Sequence, residues 1–328
     1  MREGSLRRFL ALGAILFIAA CMLGRWCAAT PASAETLRVG TAIPNNFTFL
    51  PVRLGMTNGF YAKYGLDIAV TDFQGGAKVH QGMVADVIDI AIAGATDFQF
   101  LAKGSPELAV AAKSSRPPIG IIVRWDFPGK TTDDLKGSRL GITTVGSLTE
   151  WLMHRLMHQK GWALSEVTLV PIGANVDNQI ALMTTNQIDG TLGSPAIGLE
   201  LALTQRGRVL LPSFDVGSDF LAEVIFASKK ILAENPDGVR RFLKAWFDNI
   251  AWMRAHKDDT VEMVRVYTKF SREVESQEYD QQMPYLSGDG KFHAAALKTL
   301  EEAFVEMGTF EKPPNMTQFY TEDYLPGK

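Results

Sequence analysis

From residue 37 onward, short apolar runs alternate with longer segments whose apolar positions recur at helical spacing. Residues 37–43 read as a strand that Pro44-Asn45-Asn46 ends, and a helical stretch then runs to a glycine stop at Gly65. A strand at 66–73, the loop Gln74-Gly75-Gly76 and a helix through residue 87 follow. Next come a strand at 88–93 broken by Gly94, a helix at 96–103, and strands at 108–112 and 119–124. After Trp125-Asp126-Phe127-Pro128-Gly129 the pattern restarts. It gives a turn at 132–135, a strand at 139–143, a helix at 148–160, a strand at 167–172 and a helix at 176–185. A strand at 188–192, a helix at 195–204 and strands at 208–211 and 223–228 complete the set. Buried runs alternating with helices predict βα units with parallel pairing, and two such sets predict two α/β lobes.

The last third reads as helical. Asn235-Pro236 offers an N-cap followed by a proline at the first helical position, where its missing N–H costs nothing. Val239, Phe242, Leu243, Trp246, Phe247, Ile250 and Met253 then form one wide apolar stripe on a helix ending near His256. Two or three further helices follow, clearest at 294–307, and this tail is expected to cover the sheet of one lobe.

The N-terminus has a different pattern. Arg2, Arg7 and Arg8 precede an uncharged, mostly apolar run from Phe9 to Gly24, and Ala32-Ser33-Ala34 offers a small-x-small cleavage site. The run is 16 residues long, short of the roughly 20 a spanning helix needs. Export with cleavage after Ala34 is the reading. Ile18-Ala19-Ala20-Cys21 also resembles a lipobox, so lipid anchoring at Cys21 is one alternative and an uncleaved anchor the other. Both cysteines, Cys21 and Cys27, precede the Ala34 site, so cleavage there leaves no thiol for a nucleophile, disulfide or metal site. Over 328 residues the net charge is −3; losing four arginines and one acid leaves 29 bases and 35 acids, a charge of −6. No basic surface asks for nucleic acid. At 46% hydrophobic and 21% charged residues, the chain is of ordinary globular composition.

Several segments resemble one family in order. Asn58-Gly59-Phe60-Tyr61-Ala62-Lys63-Tyr64-Gly65-Leu66-Asp67 resembles a "GFF-x-K-x-GL" signature, and Phe73-Gln74-Gly75-Gly76 a glycine pair after strand two. Residues 83–90, Met-Val-Ala-Asp-Val-Ile-Asp-Ile, resemble "AL-x-x-G-x-VD", although Asp86 replaces the usual glycine. Leu135 through Ile142 with Gly146-Ser147, and Ala181-Leu182-Met183 through Ile188-Asp189 with Pro195, resemble the corresponding second-half segments. The family is the nitrate/sulfonate/taurine and thiamine-pyrimidine-precursor group of substrate-binding proteins, and the resemblance covers residues 36 to about 257. It implies a type II periplasmic-binding-protein fold: two α/β lobes, two crossovers and a ligand cleft between the lobes. The expected organisation is a signal peptide at 1–34, first lobe at 35–125, second lobe at 126–215, and a return with C-terminal helices at 216–328. Hinges are expected near 125–129 and 212–219. A small-molecule ligand, an inner-membrane ABC permease as partner, a periplasmic monomer and no cofactor follow from the same resemblance.

Ligands of open α/β sheets bind outside the carboxyl ends of the strands, where loops present backbone N–H groups and helix N-termini. This selects Asn45, Asn46 and Phe47 after strand one, Gly75 and Gly76 after strand two, and Thr96 and Asp97 after strand three. The second lobe offers Gly146, Ser147, Thr149 and Glu150, then Asn178 and Ser194, and Ser115 beside Arg116 is a further candidate. Each has a plainer reading. Gly75-Gly76 is also a turn, Thr96 an N-cap, and Ser147 with Glu150 a capping box. Arg116 is either an anion clamp or a loop residue, and Phe49 and Trp151 are either aromatic walls or core. If Asp97 and Glu150 face the cleft, nitrate and sulfonates become poor ligands and amines or aminopyrimidines better ones.

Other chemistries find little support. Glu150, His154 and His158 share one helix face, but H-E-x-x-H is absent, as are G-x-S-x-G, the P-loop and G-x-G-x-x-G. No catalytic residue or metal ligand is assigned. Two alternatives are an exported sensory module and, within the family, a pyrimidine-precursor synthesis enzyme. The latter implies a cysteine-rich motif and a histidine donor, and this chain lacks that motif.

Overall fold

The computed structural model describes residues 35–216 and 220–327; the leader, its cysteines, the Ala34 cleavage site and residues 217–219 of the second expected hinge lie outside them. Glu35–Lys328 is one compact unit. Its described strands are β1 (Glu35–Thr41), β2 (Leu66–Asp72), β3 (Ile90–Gly94), β4 (Glu107–Ser114), β5 (Gly120–Arg124), β6 (Arg139–Ile142), β7 (Thr168–Pro171), β8 (Gly190–Gly193), β9 (Gly207–Leu211) and β10 (Glu223–Ser228).

They form two sheets of five, ordered β2-β1-β3-β10-β4 and β7-β6-β8-β5-β9. In the first, β1 lies parallel between β2 and β3, while β10 runs antiparallel to both β3 and β4. In the second, β6 lies parallel between β7 and β8, and β5 is the antiparallel strand between β8 and β9. The two sheets therefore repeat one plan, and each takes its antiparallel strand from beside a crossover. This corrects one expectation: residues 120–124 pair in the second sheet, so the chain changes sheet between Ser114 and Gly120 rather than at 125/126. A five-residue apolar run reads the same whichever sheet it joins.

The repeat extends to side chains. The Arg38 backbone N–H and Nε both donate to Asp89 Oδ2, at 2.9 and 3.0 Å. Arg139 does the same to Asp189 Oδ2, at 2.9 and 3.3 Å. Asp86 and Asn186, each three residues before that aspartate, both have φ of 56°. The family's usual glycine thus marks a left-handed position, which Asp and Asn tolerate because their short polar side chains bond locally. The expected long helix before Gly65 is two pieces, Pro51–Thr57 and Phe60–Lys63, because Gly59 turns left-handed between them with φ of 72°.

The helical tail packs with the first sheet. On Pro236–Ala255 the whole predicted stripe is buried, and Phe242 stacks on Tyr61 at 5.3 Å. At about 1.5–3 kcal/mol per large side chain removed from water, this face anchors the tail. One apolar cluster joins these helices to the first sheet, and two others serve the second. Among the described residues, no helix is long and apolar enough to cross a membrane.

Candidate functional site

The carboxyl ends of β1, β3, β6 and β8 face one another across a cleft, because each parallel strand ends in a loop that starts a helix. Two adjoining compartments of about 30 Å³ each lie in it. An inner one is lined by Asn45, Asn46, Gln179, Ser194, Phe270 and Glu278, among others. A second is lined by Phe49, Gly75, Gly76, Asp97, Ser147 and Glu223. Ile43, Ile119, Thr143 and Thr149 border both. A vestibule of about 290 Å³ adjoins the inner compartment through Asn45, Val176, Ile197 and Phe270. Each inner space accepts little more than a water-sized group, so an organic solute enters only if the cleft opens.

Hydrogen bonds bridge the gap at the loops. Gln74 Oε1 accepts from the Ala174 N–H at 3.1 Å, and Gln99 Nε2 donates to the Gly146 carbonyl at 2.7 Å. Gly75 has φ of 121°, and a Cβ there would lie 2.6 Å from Thr144 Cγ2 on the opposite lobe. A Cβ on Gly76 would meet Asp97 Oδ2 at 2.0 Å. The glycine pair is therefore required where the lobes meet.

Charge is buried behind the first sheet's side of the cleft. Lys113 Nζ donates to Glu223 Oε2 at 2.5 Å, with Ser114 and Thr48 hydroxyls also donating to that carboxylate. Burial lowers the Lys113 pKa, and Glu223 opposes that shift. His80 sits between two carboxylates, 2.8 Å from Glu107 Oε1 and 3.2 Å from Asp97 Oδ2. Burial alone would lower its pKa, but bonds to Asp97 and Glu107 push it up to about 9. Asp97 is raised by burial, which outweighs the pull of His80.

The second sheet contributes uncharged groups. Thr149 Oγ1 accepts from the Thr143 N–H at 3.0 Å and lies 2.8 Å from Ser147 Oγ. Gln179, 4% exposed, has an unpartnered Oε1. From the C-terminal helix Arg272–Gln282, Glu278 reaches the Ser194 hydroxyl; burial and the nearby Glu275 charge push its carboxyl up to about 8.

Of the residues selected from sequence, Asn45, Asn46, Gly75, Gly76, Asp97, Ser147, Thr149 and Ser194 line the two compartments. The others lie elsewhere. Phe47 packs edge-on against Tyr279 in the core, and Trp151 stacks on Phe220 at 5.1 Å. Thr96 is fully buried, and Gly146 meets Gln99 rather than the open space. Glu150 accepts from the N–H of Gly146, one residue before the N-cap Ser147, at 2.6 Å, and the Ser147 hydroxyl accepts from the Glu150 N–H at 3.4 Å. Asn178 is exposed and donates to the Ile172 carbonyl, while Ser115 lines pockets outside the two compartments. Arg116 is held by Tyr285 and Ser213, each at 2.7 Å. His158 faces Glu306 at 3.4 Å, and the described residues hold no cluster of three metal-ligating side chains. Sequence reading missed Gln179, Glu223 and Glu278. Gln179 lies one residue from Asn178, a turn of about 100° around the helix, and Glu278 comes from a distant helix with no local signal.

The paired sheets, the crossovers and the cleft define a protein of the periplasmic-binding-protein fold. The alkanesulfonate-binding protein SsuA from Xanthomonas axonopodis pv. citri has this fold, with a TM-score of 0.75 at 16% identity over 88% of this chain and 99% of that one. A model of the NMT1/THI5-like family matches residues 46–285, and the chain belongs to that family. Its relatives are of two kinds. A 4-amino-5-hydroxymethyl-2-methylpyrimidine phosphate synthase of Candida albicans is 29% identical over 63% of this chain, and the match spans 64% of the synthase. A Brucella abortus protein described as a binding protein is 24% identical over 82% of this chain and 85% of its own length.

Proposed function

We propose that this protein is exported to the periplasm, its leader removed after Ala34, and that it captures a small organic ligand between its lobes for an ABC permease. The observation that carries the reading is the cleft itself. Buried polar groups converge there from both sheets, and the hydrogen bonds that hold the two walls together include Gln74 to Ala174, Gln99 to Gly146 and, from the tail, Ser194 to Glu278. Ligand that touched both walls would shift the population toward the closed form. Hinges in the crossovers between Ser114 and Gly120, and between Leu211 and Glu223, would carry the motion.

The synthases among the relatives keep an enzymatic reading in view. Against it stands the distribution of cysteine: the chain has two, at positions 21 and 27, and the synthesis pattern implies a cysteine-rich motif. Thermal unfolding against a library of small metabolites tests capture. A ligand at about 100 times its dissociation constant adds roughly 2.7 kcal/mol. Ile43→Trp, at a half-buried position that borders both compartments, should abolish that shift while leaving a cooperative transition. A folded protein that no metabolite stabilises sinks the proposal.

A further inference from the structure

We infer that the cleft selects a small organic cation bearing N–H donors, a protonated amine or amidinium, and that Gln179 and Glu278 set this preference. The inference rests on the capture reading and adds the ligand's chemistry to it.

The first observation is an acceptor without a donor. Gln179 Nε2 donates to the Gly173 carbonyl at 3.4 Å, which orients the amide, and Oε1 then lies buried at the inner compartment with no partner. A buried acceptor left unsatisfied is costly, and a ligand N–H placed there removes the cost.

The second is a carboxyl in the same compartment. Glu278 is 3% exposed, its hydrogen-bond partner is the Ser194 hydroxyl, and it shares the helix with the buried Glu275. An N–H donor carrying positive charge meets an ionisable acceptor there, and it would draw that carboxyl toward its ionised form.

The third is the sign of the lining. Among the described residues, Asp97, Glu223 and Glu278 border the two compartments, whereas no lysine, arginine or histidine does. The cations that answer Asp97 and Glu223 are His80 and Lys113, which do not border either compartment. A sulfonate or nitrate would meet carboxylate oxygens without a cationic clamp, the opposite of what oxyanion recognition requires.

Thermal unfolding of the purified protein with acetamidine, methylguanidine, methanesulfonate and nitrate, each at millimolar concentration, tests the inference. The two cations should raise the midpoint and the two anions should not. Gln179→Leu should weaken cation binding about tenfold or more, with the unliganded midpoint little changed. Glu278→Gln keeps the side-chain shape, so it should weaken cation binding with no loss of fold even if the first variant folds poorly. Stabilisation by the anions alone overturns the ligand chemistry and leaves capture standing. No response to any of the four overturns it too, and the metabolite library then judges capture separately. Cation binding unchanged in both variants removes Gln179 and Glu278 from the assignment and overturns it.

Discussion

The first and second sheets share strand order, an arginine–aspartate clasp and a left-handed Asp or Asn before it, yet they bury opposite kinds of polarity at the cleft. Behind the first lie Lys113–Glu223 and the His80 group with Asp97 and Glu107. The second presents Thr143, Ser147, Thr149, Gln179 and Ser194, all neutral. Repetition has kept what the backbone needs and let the chemistry diverge. Ion pairs in a dry interior hold one geometry, because moving either partner leaves a charge without compensation. Hydroxyls and amides rotate at little cost. The first wall is thus the rigid one and the second the adaptable one.

The largest expected effect breaks the charged wall. Lys113→Met strands Glu223 in the interior and should cost about 3–5 kcal/mol in urea unfolding. Adding Glu223→Gln should return much of that loss. A single-mutant cost below about 1 kcal/mol would show that the charges hold nothing in place.

A smaller effect is the pH dependence that His80 in the first wall should impose. His80 has a folded pKa of about 9 against an ordinary 6.5, so the folded state binds more protons than the unfolded chain between those values. Stability from this group is therefore complete below about 6.5 and is lost as pH rises through 9. The slope is at most about 1.4 kcal/mol per pH unit for one proton. Raised Asp97 and Glu278 act in the same sense. His80→Phe should flatten the alkaline part of the curve, and an unchanged curve would place the proton elsewhere.

The smallest effect sharpens the likeness rather than the difference. Arg38→Met and Arg139→Met each remove charge-assisted bonds to a mostly buried aspartate, but both arginines are partly exposed, so each should cost only about 1–2 kcal/mol. Arg38 should lose slightly more, because it also pairs with Asp86 at 3.0 Å. Unequal costs, with Arg139 the larger, would mean the repeat is geometric only.

Much of the architecture was legible because strand length, helical spacing and the glycine stops are local properties. The helix 148–160 and the strand 223–228 lie within a residue of Leu148–Gln159 and Glu223–Ser228. The site was legible as loops rather than as side chains. Position after a strand placed Asp97, Ser147 and Ser194 at the cleft. It could not say that Phe47 turns into the core, or that Glu150 folds back onto the Gly146 N–H, because a side chain's direction depends on packing from the far end of the chain. Glu278 arrives from 84 residues beyond Ser194, and no local pattern announces such a meeting.

The antiparallel strand at the heart of each sheet has a further consequence, for the order in which the molecule can be completed. Lys113 and its partner Glu223 are 110 residues apart, and β3 and β4 are joined only through β10. A chain emerging N-terminus first must therefore carry two unpaired strand edges and an unanswered ammonium until the whole second sheet has been made. Pairings of such long sequence separation form slowly, because loop closure precedes any gain from contact. The same topology that builds the cleft thus delays the native state until the polypeptide is nearly all available, and keeps it threadable until then.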